Sequence, residues 1–461
     1  MGLPGSVLLT GLGTIHPRRV ARIPLACGPM VQILTSWLSA AAIYKDRRVL
    51  AIFAMGSASG LPYVLIVSTL GYWLARLDVD LAAIGIFGLV ALPYAWKVVW
   101  APVLDRMKPP PGFRKLGRRR GWAVPIQLLL AGAIVALGFA DPAQAPVMVA
   151  VLALLVGFLG ASQDIVVDAI RIELLQADEQ GAGAAATQMG WRIGGLIAGA
   201  GAIGLSDFVG WPVVFAVMAL TVLAGMAAVL WAPEPETEGA RDVLQGPRLG
   251  WRVEVTRAVI EPFREFLTRR DAVAILIFAL LYKFGDAIGG AMANPFYVDL
   301  GFSGSEIAAV TKLFGLGATI LGVLGGGIMV KRFGLYPALM IGGVAQAATN
   351  LSFSWLALAG HDISVLTVAI AVDNFAGGLG SAAFVAYLSA LCNAQFTATQ
   401  YALLTSVMAQ GRSIMAAGSG FLAEALGWPL FFALTAFMAV PGLLLLIHLM
   451  RRQPEKQAGG A

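Results

Sequence analysis

From Arg48 onward the chain alternates long apolar runs with short charged turns. Six runs lie at roughly 49–74, 81–104, 121–140, 146–172, 186–206 and 211–232. Beyond a long polar stretch come six more, at roughly 271–298, 306–330, 336–357, 363–391, 398–425 and 428–449. Most exceed the ~20 residues that an α-helix needs to cross a bilayer core. The pattern therefore predicts twelve tilted or protruding transmembrane helices rather than strands. Residues 25–44 are also uncharged, but Pro29, Gln32, Thr35 and Ser36 interrupt them. An interfacial helix from about Ile33 to Tyr44 is expected there, because a thirteenth span would put the two termini on opposite sides.

Short motifs recur at matching places. Ala186-Thr187-Gln188 and Gly210-Trp211-Pro212 open spans five and six, and Ala398-Thr399-Gln400 and Gly427-Trp428-Pro429 open spans eleven and twelve. The two separations differ by five residues, which one loop insertion would absorb. The expected fold is all-α integral membrane, with twelve transmembrane helices in two pseudo-symmetric six-helix bundles arranged as parallel repeats. Its divisions are a tail over 1–48, a first bundle over 49–232, a cytoplasmic linker over 233–270, a second bundle over 271–450 and a tail over 451–461.

Composition narrows the class. The 461 residues are 58% hydrophobic and 13% charged, with a mean hydropathy of +0.80. Soluble domains carry about a quarter charged residues, so a water-soluble enzyme is excluded, and the 55 glycines do not signal disorder in so apolar a chain. Cys27 and Cys392 leave neither a disulfide framework nor a zinc cluster. A net charge of +6 would suit a nucleic-acid binder, but position decides otherwise. Of the 32 Lys and Arg residues, 25 fall in the two tails and in one alternate set of loops, whereas the opposite loops hold only Arg76. By the positive-inside rule both termini are cytoplasmic. The first twelve residues lack Lys and Arg, and Arg18, Arg19 and Arg22 follow them, the reverse of a cleaved signal peptide. A multi-pass membrane protein is expected, monomeric in the lipid bilayer and without a nucleic-acid partner. No P-loop is present, so no cofactor is expected and an ion gradient should supply the energy.

Charges inside spans are costly unless paired or facing water, which makes them the candidate site. Span four carries Gln163, Asp164, Asp168 and Arg171, and spacings of four and three put the last three on one helical face. Arg171 is expected to pair with Asp105 or Glu234. Lys283 and Asp286 lie midway along span seven, Asp373 and Asn374 in span ten, Gln410 and Arg412 in span eleven, and Arg192 in span five. A dry ion pair adds little stability over apolar packing, so a water-filled cavity for a polar, anionic substrate is the better reading. Lys283, Arg192 and Arg412 would meet carboxylates or phosphates, while Tyr63 and Trp191 would stack on sugar faces. The carboxylates Asp164, Asp168, Asp286 and Asp373 are the candidates to carry a proton. Asp105 precedes the basic turn between spans two and three, and Arg118 and Arg119 lie in it. The pattern resembles the signature of the major facilitator superfamily, whose loop takes part in the cytoplasmic gate, so that with Arg171 and Glu234 they form a candidate gate.

Three stretches point to a family. Ser59-Gly60-Leu61-Pro62, the Tyr94–Asp105 run with Lys97, Trp100 and Pro102, and Gln163-Asp164-Ile165-Val166-Val167-Asp168-Ala169-Ile170-Arg171 resemble the AmpG-type muropeptide permeases of the major facilitator superfamily, as does Gly117–Trp122. The resemblance implies a place in the bacterial inner membrane and proton-driven import of N-acetylglucosaminyl-anhydro-N-acetylmuramyl peptides for cell-wall recycling, cargo that influences beta-lactamase induction in some bacteria. It places Lys97, Gln163, Asp164, Asp168 and Arg171 foremost among the site residues. Ile170 departs from the Tyr often found there in related sequences, which removes a hydroxyl contact. Two alternatives stay open: an acetyl-CoA-type or other organic-anion transporter of the same superfamily, and a facilitator-fold membrane assembly chaperone that does not transport.

Overall fold

The computed structural model describes residues 40–77, 88–236, 243 and 259–452. The expected interfacial helix lies outside the described residues up to position 39, as do residues 237–242 and 244–258 of the 233–270 linker and the tail from 453.

Each of the twelve predicted segments is helical over its described residues. The first, α1 (Arg47–Ala75), starts where the Asp46 carboxylate accepts the N–H of Arg48 at 2.7 Å, an N-cap that satisfies one of the free donors of the first turn. The second, α2 (88–106), is a chain of short pieces, Leu92–Trp96, Lys97–Val99 and Ala101–Arg106 among them. Pro93 and Pro102 sit in the first turns of two of these pieces, where a missing N–H is tolerated and the preceding helix must stop. Then come α3 (Arg119–Phe139), α4 (Pro146–Leu174), α5 (180–206) and α6 (Trp211–Trp231). A short linker helix, Glu261–Leu267, precedes α7 (Ala272–Asp299). The remainder are α8 (304–333), α9 (Leu335–Ala359), α10 (Ile363–Ala390), α11 (397–426) and α12 (428–452).

Eight helical stretches among the described residues are long and apolar enough to cross a membrane. The others fall short for local reasons. α2 is broken, and α5, α9 and α11 carry Gln, Asn, Thr or Ser in their middles. The last two helices meet at Gly427, whose φ of 68° lies in the left-handed region where a side chain would be strained.

The Gly-Trp-Pro repeat has a structural meaning. Trp211 stacks on Trp73 with ring centroids 5.0 Å apart, pinning α6 to α1. Trp428 packs on Phe296 at 5.2 Å and donates its indole N–H to Asp299 at 2.5 Å, pinning α12 to α7. The Ala-Thr-Gln match, in contrast, is out of register. Gln180 opens α5 and Thr397 opens α11, at equal distances before Trp211 and Trp428. The motif at 398 is thus in a first helical turn and the motif at 186 well inside its helix, so no loop insertion separates the halves.

Each half has its own apolar core. In the first, Leu65, Leu70, Ile134, Leu137, Phe215 and Val222 are buried together. In the second, Phe278, Tyr282, Phe384, Tyr387 and Leu446 form one cluster and Phe296, Phe353, Phe431 and Phe432 another. α1 and α5 cross with backbones touching, since a Cβ on Gly60 or Gly194 would overlap the facing carbonyl. Across the halves, α5 meets α8 and α10, and α11 meets α2 and α4. The side-chain contacts in these pairings gather at the end that bears the basic loops: Asp105 to Thr399, Arg171 to Ser389 and Lys331 to Asp178.

Candidate functional site

The first charged cluster forms where α2 breaks. Trp96 leaves helical geometry with φ −104° and ψ 9°, and Lys97 follows it, its side chain only 7% exposed. Lys97 pairs with the Asp164 carboxylate, and its Nζ lies 3.9 Å from Asp168. Ser59 of α1 donates to the other Asp164 oxygen at 2.8 Å. Gln163 turns away and donates to the Ala58 carbonyl at 2.7 Å. Asp168 also takes Arg171, 3.4 Å away on the next turn of α4. Two carboxylates and two cations thus neutralise one another, which is what makes their burial affordable. Beside them stand Tyr63 and Tyr94, edge to face at 5.1 Å, with Trp191 6.1 Å from Tyr63 and 37% exposed. This is an aromatic wall next to a polar floor.

The second cluster belongs to the other half. α7 is interrupted at Tyr282–Lys283, and the freed Lys283 ammonium sits 3.1 Å from Asp286, both partly exposed. Asp373 accepts from Thr349 at 3.3 Å. Asn374 accepts from Thr319 at 2.9 Å and donates to the Ile370 carbonyl. Arg192, Gln410 and Arg412 make no ion pair or side-chain hydrogen bond among the described residues; Arg192 is half-buried and the other two are exposed. Arg412 therefore shares no ion pair with Lys283, Asp286 or Asp373.

A third network lies at the basic-loop end. Asp105 is fully buried, takes Arg119 at 2.7 Å with one oxygen, and with the other accepts both the N–H and the hydroxyl of Thr399 at 3.0 Å. A carboxylate of the first half thereby caps the first turn of α11, where the free N–H groups and the helix dipole favour negative charge. Arg118 and Arg119 both reach Glu173, at 2.8 and 2.6 Å. Glu234 accepts the N–H groups of Arg119 and Arg120 at the start of α3. Arg171 pairs with neither Asp105 nor Glu234, contrary to the expectation from sequence. α4 points it instead at Ser389, 2.8 Å away, and under the Tyr401 ring at 5.1 Å, both in the other half. Among the expected gate residues, then, Asp105 and Arg171 cross between halves, while the contacts of Arg118, Arg119 and Glu234 stay within the first.

Sequence reasoning missed Ser59, Tyr94, Glu173, Ser389, Thr399 and Tyr401 as members of these networks. Glu173 alone had a usable signal: three arginines in a row need more anionic partners than Asp105 provides, and Glu173 lies two residues from Arg171.

Two carboxylates outside the spans show how the closed end responds to pH. Burial alone would raise the Asp105 carboxyl, but Arg119, Arg118 and the Thr399 N–H outweigh it and hold it below the ordinary aspartate range. Burial also acts on Glu265 of the linker helix, where Arg269 and Gln400 prevail and hold it low. A depressed carboxyl contributes its full stabilisation above its ordinary pKa and loses it as pH falls through the lowered value. Spin labels at Lys115→Cys and Ala394→Cys, in a background without Cys27 and Cys392, report this end directly. Their separation is expected to stay unchanged from neutral pH to about 4 and to lengthen only below it. A lengthening centred near pH ~6.5 would contradict this assignment.

Comparison with known proteins gives a consistent outcome. Residues 49–285 and 275–461 match the family model of the Major Facilitator Superfamily. The anhydromuropeptide permease of Escherichia coli (strain K12) is 39% identical over 407 residues, covering 88% of this chain and 80% of that protein. The putative transporter AmpG 4 of Rickettsia conorii is 36% identical over 412 residues, covering 88% and 97% respectively. Among solved structures, the human organic anion transporter MFSD10 superposes with a TM-score of 0.63 at 13% identity, over 87% of this chain and 99% of that one. The proton:xylose symporter XylE does so with a TM-score of 0.60 at 14% identity, over 87% and 95%. At such identities these two structures speak for the fold alone.

Proposed function

Since the chain belongs to the AmpG-type permeases of the Major Facilitator Superfamily, we propose that it imports anhydromuropeptides across the inner membrane by proton-coupled alternating access. The basic loops mark the cytoplasmic side. Contacts between the halves gather on that side, so the conformation described is closed to the cytoplasm. The two clusters then face a path from the outside: Lys97 and Asp164 with the aromatic wall of Tyr63 and Trp191 on one flank, Lys283, Asp286, Asp373 and Asn374 on the other. A muropeptide offers sugar faces to the aromatics, amides to Asn374 and Gln410, and peptide carboxylates to Lys283, Arg192 and Arg412.

One observation carries the coupling: an unbroken series of polar and charged groups from the site to the seam. Ser59, Asp164, Lys97, Asp168 and Arg171 follow one another, and Arg171 ends on Ser389 and Tyr401 of the opposite half. Adding a proton to Asp164 or Asp168 removes one anion from a balanced set. Lys97 then moves toward the remaining carboxylate, and Arg171 loses part of what fixes it across the seam. Protonation and substrate arrival together would favour separation of the halves on the cytoplasmic side, and release would reset them.

The test is uptake of labelled anhydromuropeptide into proteoliposomes with and without an inward proton gradient. Accumulation above equilibrium is expected with the gradient. Asp164→Asn should abolish accumulation, a loss of at least about tenfold, because the variant keeps a hydrogen-bond acceptor for Ser59 but cannot change charge. Folded, correctly oriented protein that shows no uptake would end the substrate claim. Uptake indifferent to the gradient would end the coupling claim.

A further inference from the structure

A residue outside both charged clusters joins the two halves where α5 meets α8. Tyr44 belongs to the short turn Ala42–Lys45 ahead of α1, yet its hydroxyl donates to the carbonyl of Leu324 in α8 at 3.0 Å. Its ring packs with Ala185 of α5, Val323 of α8 and Ala382 of α10. The fit depends on Gly327. A Cβ there would collide with the Tyr44 oxygen and would lie 2.9 Å from the Gly181 carbonyl and 3.2 Å from the Ala182 Cα. One turn farther out, Lys331 pairs with Asp178 at 2.8 Å across the same seam.

The turn that bears Tyr44 is fastened to the first half. Asp46 holds Arg48 through both side chain and N–H, and Arg48 reaches Glu179 at 2.9 Å and the Leu174 carbonyl at 3.1 Å, bracing it against the α4–α5 connection. Tyr44 is therefore a fixed tooth of the first half seated in a notch of the second. Separating α5 from α8 must break its hydrogen bond and strip the ring of its apolar neighbours.

We propose that Tyr44 is a positioning residue of the gate: a latch, with Gly327 as its notch, that holds the conformation closed at the basic-loop end and sets how readily that end opens. The proposal rests on the alternating-access reading but not on the identity of the substrate.

The test uses the full-length protein with the spin-label pair at positions 115 and 394. Tyr44→Phe, which keeps the ring and loses the bond, should lower the ratio of closed to open conformers roughly fivefold. Tyr44→Ala should lower it by more than about tenfold. Gly327→Ala should open the seam while Tyr44 is intact and do so less in the Tyr44→Ala background, where the collision with the ring oxygen is gone; that non-additivity is the signature of direct contact. A closed population unchanged in Tyr44→Phe and Gly327→Ala overturns the latch, whatever the fate of Tyr44→Ala. Wild-type protein that shows the distance change but no muropeptide uptake overturns the substrate reading and leaves the latch standing.

Discussion

Lys97→Met is expected to be the most damaging single substitution in the first half, with a loss of stability of about 3–5 kcal/mol. Lys97 is the only cation within reach of Asp164 and one of two beside Asp168 among the described residues. Its removal leaves two carboxylates against a single arginine, in helices with little water to screen them. The partner experiment separates architecture from transport. In Lys97→Met/Asp164→Asn the remaining charges, Asp168 and Arg171, balance again, so most of the stability should return while uptake should not. Thermal unfolding in detergent gives the first quantity and proteoliposome flux the second. A double variant that regains both would show that the pair is scaffolding only. A single variant as stable as wild type would mean that Lys97 is not the counter-ion described.

Asp105→Ala should have the largest effect on which side of the protein is closed. It removes the only acceptor that the first half offers, among the described residues, to the N–H and hydroxyl of Thr399. Hydrogen bonds to a charged group contribute about 1.5–3 kcal/mol each, and part of that returns when water reaches the helix end. A net cost of about 3 kcal/mol corresponds to a shift of roughly a hundredfold toward the conformation open at the basic-loop end. Arg119 keeps Glu173, so the first half should stay folded. Asp105→Asn, which retains an acceptor without the charge, should fall between. Spin-label distances across the gate decide the matter, and an unchanged distribution in Asp105→Ala would refute the capping role.

How much of this was legible in the sequence depends on how local each feature is. The spans were readable because hydrocarbon tolerates nothing but long apolar stretches. The Gly-Trp-Pro pairs were readable because each tryptophan serves its own half. The Ala-Thr-Gln match misled because three small or polar residues recur by chance in helices that need them, and only the helix starts reveal the register. Lys97, Asp164 and Asp168 stood out as charges in apolar surroundings. Their partner Ser59 did not, since a serine in a span is unremarkable until a carboxylate is seen opposite. The contacts between halves were the least visible. Arg171 could not be sent to Ser389 and Tyr401 by any spacing rule, because its target depends on how two bundles lean together. The same holds for Thr399 and for Tyr44.

The break in α7 bears on the outer side of the path. Below it, Tyr282 stacks on Phe384 at 4.7 Å and donates to the Leu339 carbonyl, so the Ala272–Leu281 piece is moored to α9 and α10. Above it, the Phe284–Asp299 piece leans on Trp428 and Phe432 of α12. A rod moored at both ends must swing as a whole, whereas this one has an elbow, and Lys283 is at the elbow itself. A ligand held at Lys283, as the proposed function has it, would pull where the least force bends the upper arm inward. On that reading, recognition at that point and shutting of the mouth above it would be one mechanical event, with no need for the lower arm to stir.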